Sequence, residues 1–147
     1  MTTGLDVLYR DVILDHSKRP RNFRMFDGGH HAVGANPLCG DRLTVYLRVE
    51  NETIQDAAFH GFGCAIAIAS ASLMTESVMG KTFAETQALF DQLLRMISAP
   101  ESPVDDLGDL SSLAGVRQFP VRVKCATLPW QALLAATTAR VEVVSTE

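Results

Sequence analysis

Several features that would mark particular classes of protein are scarce in this sequence. Lys and Arg number 13 against 17 Asp and Glu, a net charge of −4, so the basic excess needed for a broad nucleic-acid surface is missing. Apolar runs are short, as at Ala65–Ala69, and fall far below the roughly 20 residues of a membrane-spanning helix. Charged residues interrupt Met1–Lys18, unlike a secretory signal, so we expect a cytoplasmic protein without membrane or nucleic-acid partners.

Internal repeats, low-complexity tracts and convincing linkers are also missing. The 147 residues are 47% hydrophobic and 20% charged, which is ordinary for a globular protein. The sequence therefore predicts a single domain spanning residues 1–147.

Cysteine occurs only at positions 39, 64 and 125. Three cysteines cannot all pair within one chain, and a reducing cytoplasm disfavours disulfides. Cys39, Cys64 and Cys125 are therefore buried small hydrophobes, metal ligands or reactive thiols.

The first half of the chain predicts one helix followed by strands. Leu5, Leu8, Tyr9, Val12 and Ile13 have the spacing of an amphipathic helix. A basic connector follows, which is either a solvated loop or a partner contact.

Alternating apolar residues then indicate a strand over Arg42–Val49, flanked by strands over His31–Leu38 and Ile54–His60. Together these segments predict a small three-stranded antiparallel sheet.

The second half predicts helices. One opens at Cys64, after a glycine turn, and runs to about Met79; the next begins with a capping box formed by Thr82 and Glu85. A break at Pro100–Pro103 and a short, weak helix over Leu107–Leu113 come next.

The last helix is expected to start near Leu128, with Thr127 as its cap and Pro129 in its first turn, and to end near Val141. A start at Pro120 is the alternative, although Pro129 would kink such a helix. The fold class is α+β: the small sheet packs against about four to six helices, with a metal site at one end.

The cysteines share their position relative to these elements. Cys39 and Asp41 are two residues apart, so in extended backbone both side chains project from the same side. Cys64 opens a helix and Cys125 lies near the start of the last one, so all three cysteines fall at junctions between elements. Three thiolates and a carboxylate form a four-ligand set suited to Zn²⁺, although iron–sulfur clusters also prefer cysteine.

The four histidines are weaker candidates for ligands. His60 is the best of them because it is close to Cys64 in sequence, but a hydrogen-bonded strand residue is the favoured interpretation. His30 and His31 are adjacent and point to opposite sides of a strand, and His16 lies in the first helix.

Four segments together resemble the U-type iron–sulfur cluster assembly proteins, the IscU and NifU N-terminal-like family. They are Asp15–Asn22, Asn36–Asp41, Gly61–Ile66 and Arg122–Leu128, and the resemblance runs from about Leu5 to Leu134. It implies that the four candidate ligands form one site.

Two branches of this family differ near the last cysteine. The IscU branch carries a histidine before it and a Leu-Pro-Pro-Val-Lys chaperone sequence, where this chain has Lys124 and Phe119–Val123. The SufU branch has an Arg-x-Lys-Cys segment and an insertion, which are similar to Arg122–Cys125 and the stretch from about Ala88 to Gly115. The chain therefore resembles the SufU branch.

The resemblance implies a zinc-dependent sulfurtransferase. Cys39, Asp41, Cys64 and Cys125 would hold Zn²⁺, and a PLP-dependent cysteine desulfurase would deliver persulfide sulfur to Cys39, which leaves the metal. Cys39 is the expected nucleophile because it lies on a glycine-flanked loop. Arg122 would stabilise thiolate or persulfide charge, with a surface role as the alternative.

Two other functions remain open at this point. The same residues would suit a scaffold for a transient [2Fe–2S] cluster. A zinc-stabilised interaction module without catalysis is the second. A sulfurtransferase would pass its sulfur, and a scaffold its cluster, to downstream iron–sulfur assembly proteins.

Overall fold

The computed structural model describes residues 4–26, 29–99, 107–138 and 143–145. In chain order, the elements are helix α1 (Gly4–Lys18), strands β1 (His30–Asn36), β2 (Asp41–Glu50) and β3 (Thr53–Phe62), helices α2 (Ala65–Val78) and α3 (Phe83–Ile97), a run of 3₁₀ turns (Gly108–Gln118), helix α4 (Pro120–Thr137) and strand β4 (Val143–Ser145). Three expectations from the sequence fall outside the described residues: the side chains of Leu5 and Leu8, the break at Pro100–Pro103 and the helix end at Val141. Within the described part of the chain, no helix is both long and apolar enough to cross a membrane.

The three predicted strands form the antiparallel sheet expected from the sequence. β1 pairs with β2 and β2 with β3, both antiparallel. Leu43, Val45 and Leu47 of β2 are fully buried, which confirms the alternation of the sequence. The short β4 adds a parallel neighbour to β1, giving the order β3-β2-β1-β4. The fold class is thus confirmed as α+β.

Helix α2 is the central helix, and it packs against α1, α4 and β3. Its sequence is rich in Ala and Ser, and small side chains let neighbouring elements approach closely. The buried Ser70 hydroxyl donates to the Ala126 carbonyl at 2.6 Å and accepts from Trp130 Nε1 at 3.2 Å. These bonds satisfy polar groups that would otherwise be buried at a cost of about 1–3 kcal/mol each.

The basic connector after α1 is held against α2. The Arg21 backbone N–H donates to Ser72 Oγ at 2.8 Å, and Asn22 Nδ2 donates to Thr75 Oγ1 at 3.0 Å. The His16 ring shares a 2.6 Å hydrogen bond with the same Ser72 oxygen. The first part of the connector is therefore anchored to α2, and it helps to fix α1 relative to α2.

His16 is buried at this junction. Burial, and then the neighbouring Arg21 charge, lower the pKa of His16 below its usual value of 6.5, while the carboxylates of Glu76, Asp15 and Asp109 oppose this shift. The folded state thus favours the neutral imidazole.

The expected start of the last helix was wrong. Helix α4 begins at Pro120 rather than Leu128, with Phe119 at its N-cap and Pro129 inside it. Pro129 has no N–H to donate to the carbonyl of Cys125, a loss that costs about 3 kcal/mol in a helix interior. Burial of the residues around it, including Trp130, offsets that cost. The predicted capping box of α3 is confirmed, with Thr82 and Glu85 bonded in both directions.

Candidate metal centre

A turn between β1 and β2 carries the first thiol. The Cys39 N–H donates to the carbonyl of Asn36 at 3.2 Å, and Gly40 completes the turn with a φ of 71°. Cys39 is half-buried. The glycine-flanked loop predicted from the sequence is present, and it holds Cys39 between two paired strands.

Asp41, the first residue of β2, connects this turn to the start of α2. The residue is 2% exposed, and its Oδ1 accepts a 2.8 Å hydrogen bond from the backbone N–H of Cys64. Cys64 is the N-cap residue of α2 and makes no side-chain cap of its own. A carboxylate from a distant strand therefore caps this helix, where the N-terminal dipole favours negative charge.

Cys125 lies deeper than the other two cysteines. It is in the second turn of α4 and fully buried, so the expectation that all three cysteines lie at junctions was wrong for this one. The Cys125 and Cys39 sulfurs are 3.4 Å apart. Packing of α4 against β1 and β2 brings this helical residue to the end of the sheet.

Three of the four candidate ligand atoms converge on one volume. The ligand atoms of Cys39, Asp41 and Cys125 all lie within 4.8 Å of one another. The Cys64 sulfur lies outside this group of three ligand atoms but next to it, at 4.0 Å from Asp41 Oδ2. Two sulfurs bound to one tetrahedral zinc ion at about 2.3 Å would be about 3.8 Å apart, close to the observed separation of Cys39 and Cys125. The donor set and its spacing fit Zn²⁺.

Burial disfavours the charged form of the deepest thiol. Burial, then hydrogen bonds to Cys39 and Cys64, raise the pKa of Cys125 far above its usual value; the charge of Cys64 and a hydrogen bond with Asp41 act in the same direction. Several thiolates beside a carboxylate repel one another in such a site. A bound cation would remove this penalty, which is the usual coupling between thiol ionisation and metal binding.

The histidines take no part in this cluster among the described residues. His60 is exposed and packs its ring against Phe23, with centroids 4.7 Å apart. His30 Nδ1 is 2.9 Å from the carbonyl of Ala136, and His31 is exposed next to Tyr46.

Arg122 lies at the mouth of the site. It is exposed, and together with Cys39 and Cys64 it lines an open cavity of about 510 Å³. Phe119 and Val121 form the apolar side of this opening and are 61% and 57% exposed. A reacting molecule could therefore approach Cys39 and Cys64 from outside, while Cys125 lies behind them.

Asn36 is a contributor that sequence reasoning did not single out. It is 1% exposed, its Nδ2 lies 4.0 Å from the Cys125 sulfur, and its Oδ1 has no hydrogen-bond partner in the described part of the chain. Strand parity could have identified it, because Ala32, Gly34 and Asn36 share the inward face of β1. An amide on an otherwise apolar face is a signal of a polar neighbour.

Comparison with known proteins gives consistent results. A family model described as the NifU-like N terminal domain matches residues 8–126. The iron–sulfur cluster assembly scaffold protein IscU of Streptococcus pyogenes serotype M1 is 43% identical over 133 residues, covering 90% of this chain and 84% of that protein. The zinc-dependent sulfurtransferase SufU of Bacillus subtilis (strain 168) is 42% identical over 133 residues, covering 88% of this chain and 89% of that protein.

The fold is shared with solved structures as well. A protein from Fervidobacterium islandicum AW-1, assigned as an iron–sulfur cluster assembly scaffold of the SUF system, superposes with a TM-score of 0.81 at 32% identity. The superposition covers 91% of this chain and 99% of that one. The similarity therefore extends over most of the fold.

Proposed function

The chain belongs to the family of NifU-like N-terminal domains of iron–sulfur cluster assembly proteins, and on this basis we propose that it is a SufU-type, zinc-dependent sulfurtransferase. It takes persulfide sulfur from a PLP-dependent cysteine desulfurase onto Cys39, in the cytoplasm, and passes it to downstream iron–sulfur assembly proteins. Cys39, Asp41, Cys64 and Cys125 hold the zinc ion.

The position of Cys39 is the observation that carries this proposal. Cys39 lies on a turn, half-buried at an open cavity, whereas Cys125 is fully buried in a helix and the backbone of Cys64 is bonded to Asp41. Cys39 and Cys64 both line this cavity, but Cys39 lies on a turn whereas Cys64 begins a helix, so Cys39 is the thiol that can move with least disturbance of the fold.

The transfer is a thiolate–persulfide exchange. The Cys39 thiolate attacks the terminal sulfur of the donor persulfide, a new sulfur–sulfur bond forms on Cys39, and the donor's own sulfur–sulfur bond breaks. The electron pair of the broken bond leaves with the donor cysteine as a thiolate, and the proton of the terminal sulfur stays on it. Bound zinc supplies the positive charge that keeps the thiols of the site deprotonated.

The residues around Cys39 favour this chemistry. The guanidinium of Arg122, at the same cavity, adds positive charge where the attacking Cys39 thiolate is negative and where the donor thiolate leaves. The buried Asp41 carboxylate supplies negative charge on the inner side of the site, opposite to the positive charge of Arg122 at its mouth. Lys124, at the position before the last cysteine, supports the SufU-type assignment because IscU-type proteins have a histidine there.

A scaffold for a transient [2Fe–2S] cluster is the second candidate. The equally high identity to an IscU protein favours it, since 43% and 42% do not separate the two branches. Cysteine-rich donor sets also suit such clusters.

A desulfurase assay with and without this protein tests the proposal. We expect the zinc-loaded protein to stimulate sulfide release from cysteine, Cys39→Ser to abolish the stimulation, and the peptide containing Cys39 to gain the mass of one sulfur atom. Leu38→Ala, a change at the exposed neighbouring residue, is the control and should retain stimulation. Zinc content is measured for each sample.

Two outcomes would contradict it. Full stimulation by Cys39→Ser would exclude sulfur transfer through that residue and leave an interaction module. Anaerobic reconstitution that yields a visible [2Fe–2S] spectrum, with transfer to an apo-acceptor and no stimulation of the desulfurase, would support the scaffold instead.

A further inference from the structure

A second cavity lies beside the metal centre. This groove, of about 770 Å³, runs between α1, the start of α2 and the junction of the 3₁₀ turns with α4. Ile13, Leu14, Ile66 and Val116 give it an apolar floor. Its volume is in the range of about 300–1,000 Å³ that is typical of binding pockets.

The groove is continuous with the opening above Cys39. Cys64, Phe119 and Arg122 line both the groove and the cavity over the thiol cluster. A chain segment lying in the groove would therefore have one end next to the sulfur atoms.

The charges along the groove are of one sign. Arg10 and Arg122 are exposed and line it, and the described residues that line it include no aspartate or glutamate. This local charge is opposite to the net charge of −4 of the whole chain. Such a surface complements a partner that combines apolar side chains with carboxylates.

We propose that this groove binds a segment of the sulfur-donor protein next to its persulfide cysteine, with apolar side chains in the floor and carboxylates at Arg10 and Arg122. The proposal rests on the sulfur-transfer function, and it names the surface by which the donor is recognised. A buried apolar centre with a charged rim is the usual arrangement of a protein–protein interface.

The exposed apolar residues of the groove support a protein as the occupant. Leu14 is 41% exposed and Phe119 is 61% exposed. A protein segment lying in the groove would cover both apolar side chains. Because Phe119 immediately precedes α4, which carries Cys125, a partner bound here contacts the helix that forms the back of the site. Binding in the groove thus places the donor beside Cys39 and leaves the opening above the thiols free for its cysteine.

The test uses the zinc-loaded protein and a purified cysteine desulfurase. Arg10→Glu and Leu14→Asp alter the groove, and both residues are in α1, which carries none of the candidate metal ligands. Arg95→Glu in α3 makes the same charge change as Arg10→Glu at another exposed site, and Met25→Asp adds a carboxylate at an exposed apolar residue outside the groove.

We expect Arg10→Glu to raise the half-saturating concentration for desulfurase stimulation by about three- to tenfold, and Leu14→Asp by about tenfold. Maximal stimulation, zinc content and the melting temperature should stay close to those of the wild-type protein. The loss in Arg10→Glu should shrink at high salt, because screening weakens the charge interaction. Both control variants should match the wild-type half-saturation.

Unchanged half-saturation in both groove variants would overturn the proposal. So would a dimer of this chain that Leu14→Asp dissociates, since the groove would then bind a second copy. Failure of the sulfur-transfer function is distinguishable: in that case Cys39→Ser stimulates as well as wild type, whatever the groove variants do.

Discussion

The buried carboxylate of Asp41 has two roles that can be separated by substitution. Oδ1 accepts the 2.8 Å hydrogen bond from the backbone N–H of Cys64, and Oδ2 faces the Cys64 sulfur at 4.0 Å. The first contact stabilises the start of α2 with or without metal. The second belongs to the ligand set. Asp41→Ala removes both, whereas Asp41→Asn keeps an acceptor for the N–H and removes the charge.

The magnitudes follow from these contacts. A hydrogen bond to a charged acceptor contributes about 1.5–3 kcal/mol, so metal-free Asp41→Ala should lose about that much free energy of unfolding. In a domain of this size, 1 kcal/mol shifts the melting temperature by roughly 2–4 °C, which gives a decrease of about 3–12 °C. Metal-free Asp41→Asn should lose less, because its amide oxygen still accepts from Cys64.

Zinc affinity, unlike metal-free stability, should fall in both variants. Both lose a carboxylate ligand, so both should bind zinc more weakly than wild type, and each tenfold loss of affinity removes about 1.4 kcal/mol of the stabilisation by bound zinc. Thermal unfolding is measured after verified zinc removal and again with excess zinc, and affinity by competition with a chromophoric chelator. Wild-type protein itself should melt at a much lower temperature once zinc is removed.

Thr82→Ala provides a matched control because it removes a helix cap far from the site. It should cost about 1 kcal/mol and leave zinc affinity unchanged. Metal-free Asp41→Ala melting at the wild-type temperature would refute the capping argument. Unchanged zinc affinity in both Asp41 variants would refute its role as a ligand, and unchanged melting of wild-type protein after zinc removal would refute a structural role for the metal.

Three further outcomes can be measured on the same protein. Asn36→Ala should weaken zinc affinity about 10- to 100-fold, because the amide that lies by the Cys125 sulfur is lost; chelator competition that gives the wild-type affinity would contradict this. Gly61→Ala should lower the free energy of unfolding in urea titrations by at least about 1–3 kcal/mol, because φ is 140° and a Cβ would collide with the carbonyl of Arg42. Gly115→Ala is the control and should be nearly neutral, because a Cβ there meets open space. Metal-free wild-type protein should lose stability as pH falls below about 6.5, because the lowered pKa of His16 means that the unfolded chain takes up a proton there before the folded chain does. The loss in free energy of unfolding should be at most about 1.4 kcal/mol per pH unit. A His16→Asn variant whose melting temperature depends on pH as strongly as that of wild type would contradict the assignment to His16.

Local patterns in the sequence determined most of the elements. Alternation along β2, the Thr82–Glu85 capping box and the glycine turn before Cys64 depend on residues a few positions apart, so they are readable without a structure. The four candidate ligands could also be named from short segments. What these segments do not contain is the distance between them.

Tertiary structure alone decided how those residues meet. The sequence predicted a late start for α4 because Pro129 disfavours a helix, yet burial against α2 and the sheet outweighs that local preference and places Cys125 inside the helix. The capping of α2 by Asp41, the amide of Asn36 beside Cys125 and the groove along α1 each join residues far apart in the chain. Such contacts depend on long-range packing, because the side chains that complete them come from other elements, and no local pattern specifies those partners.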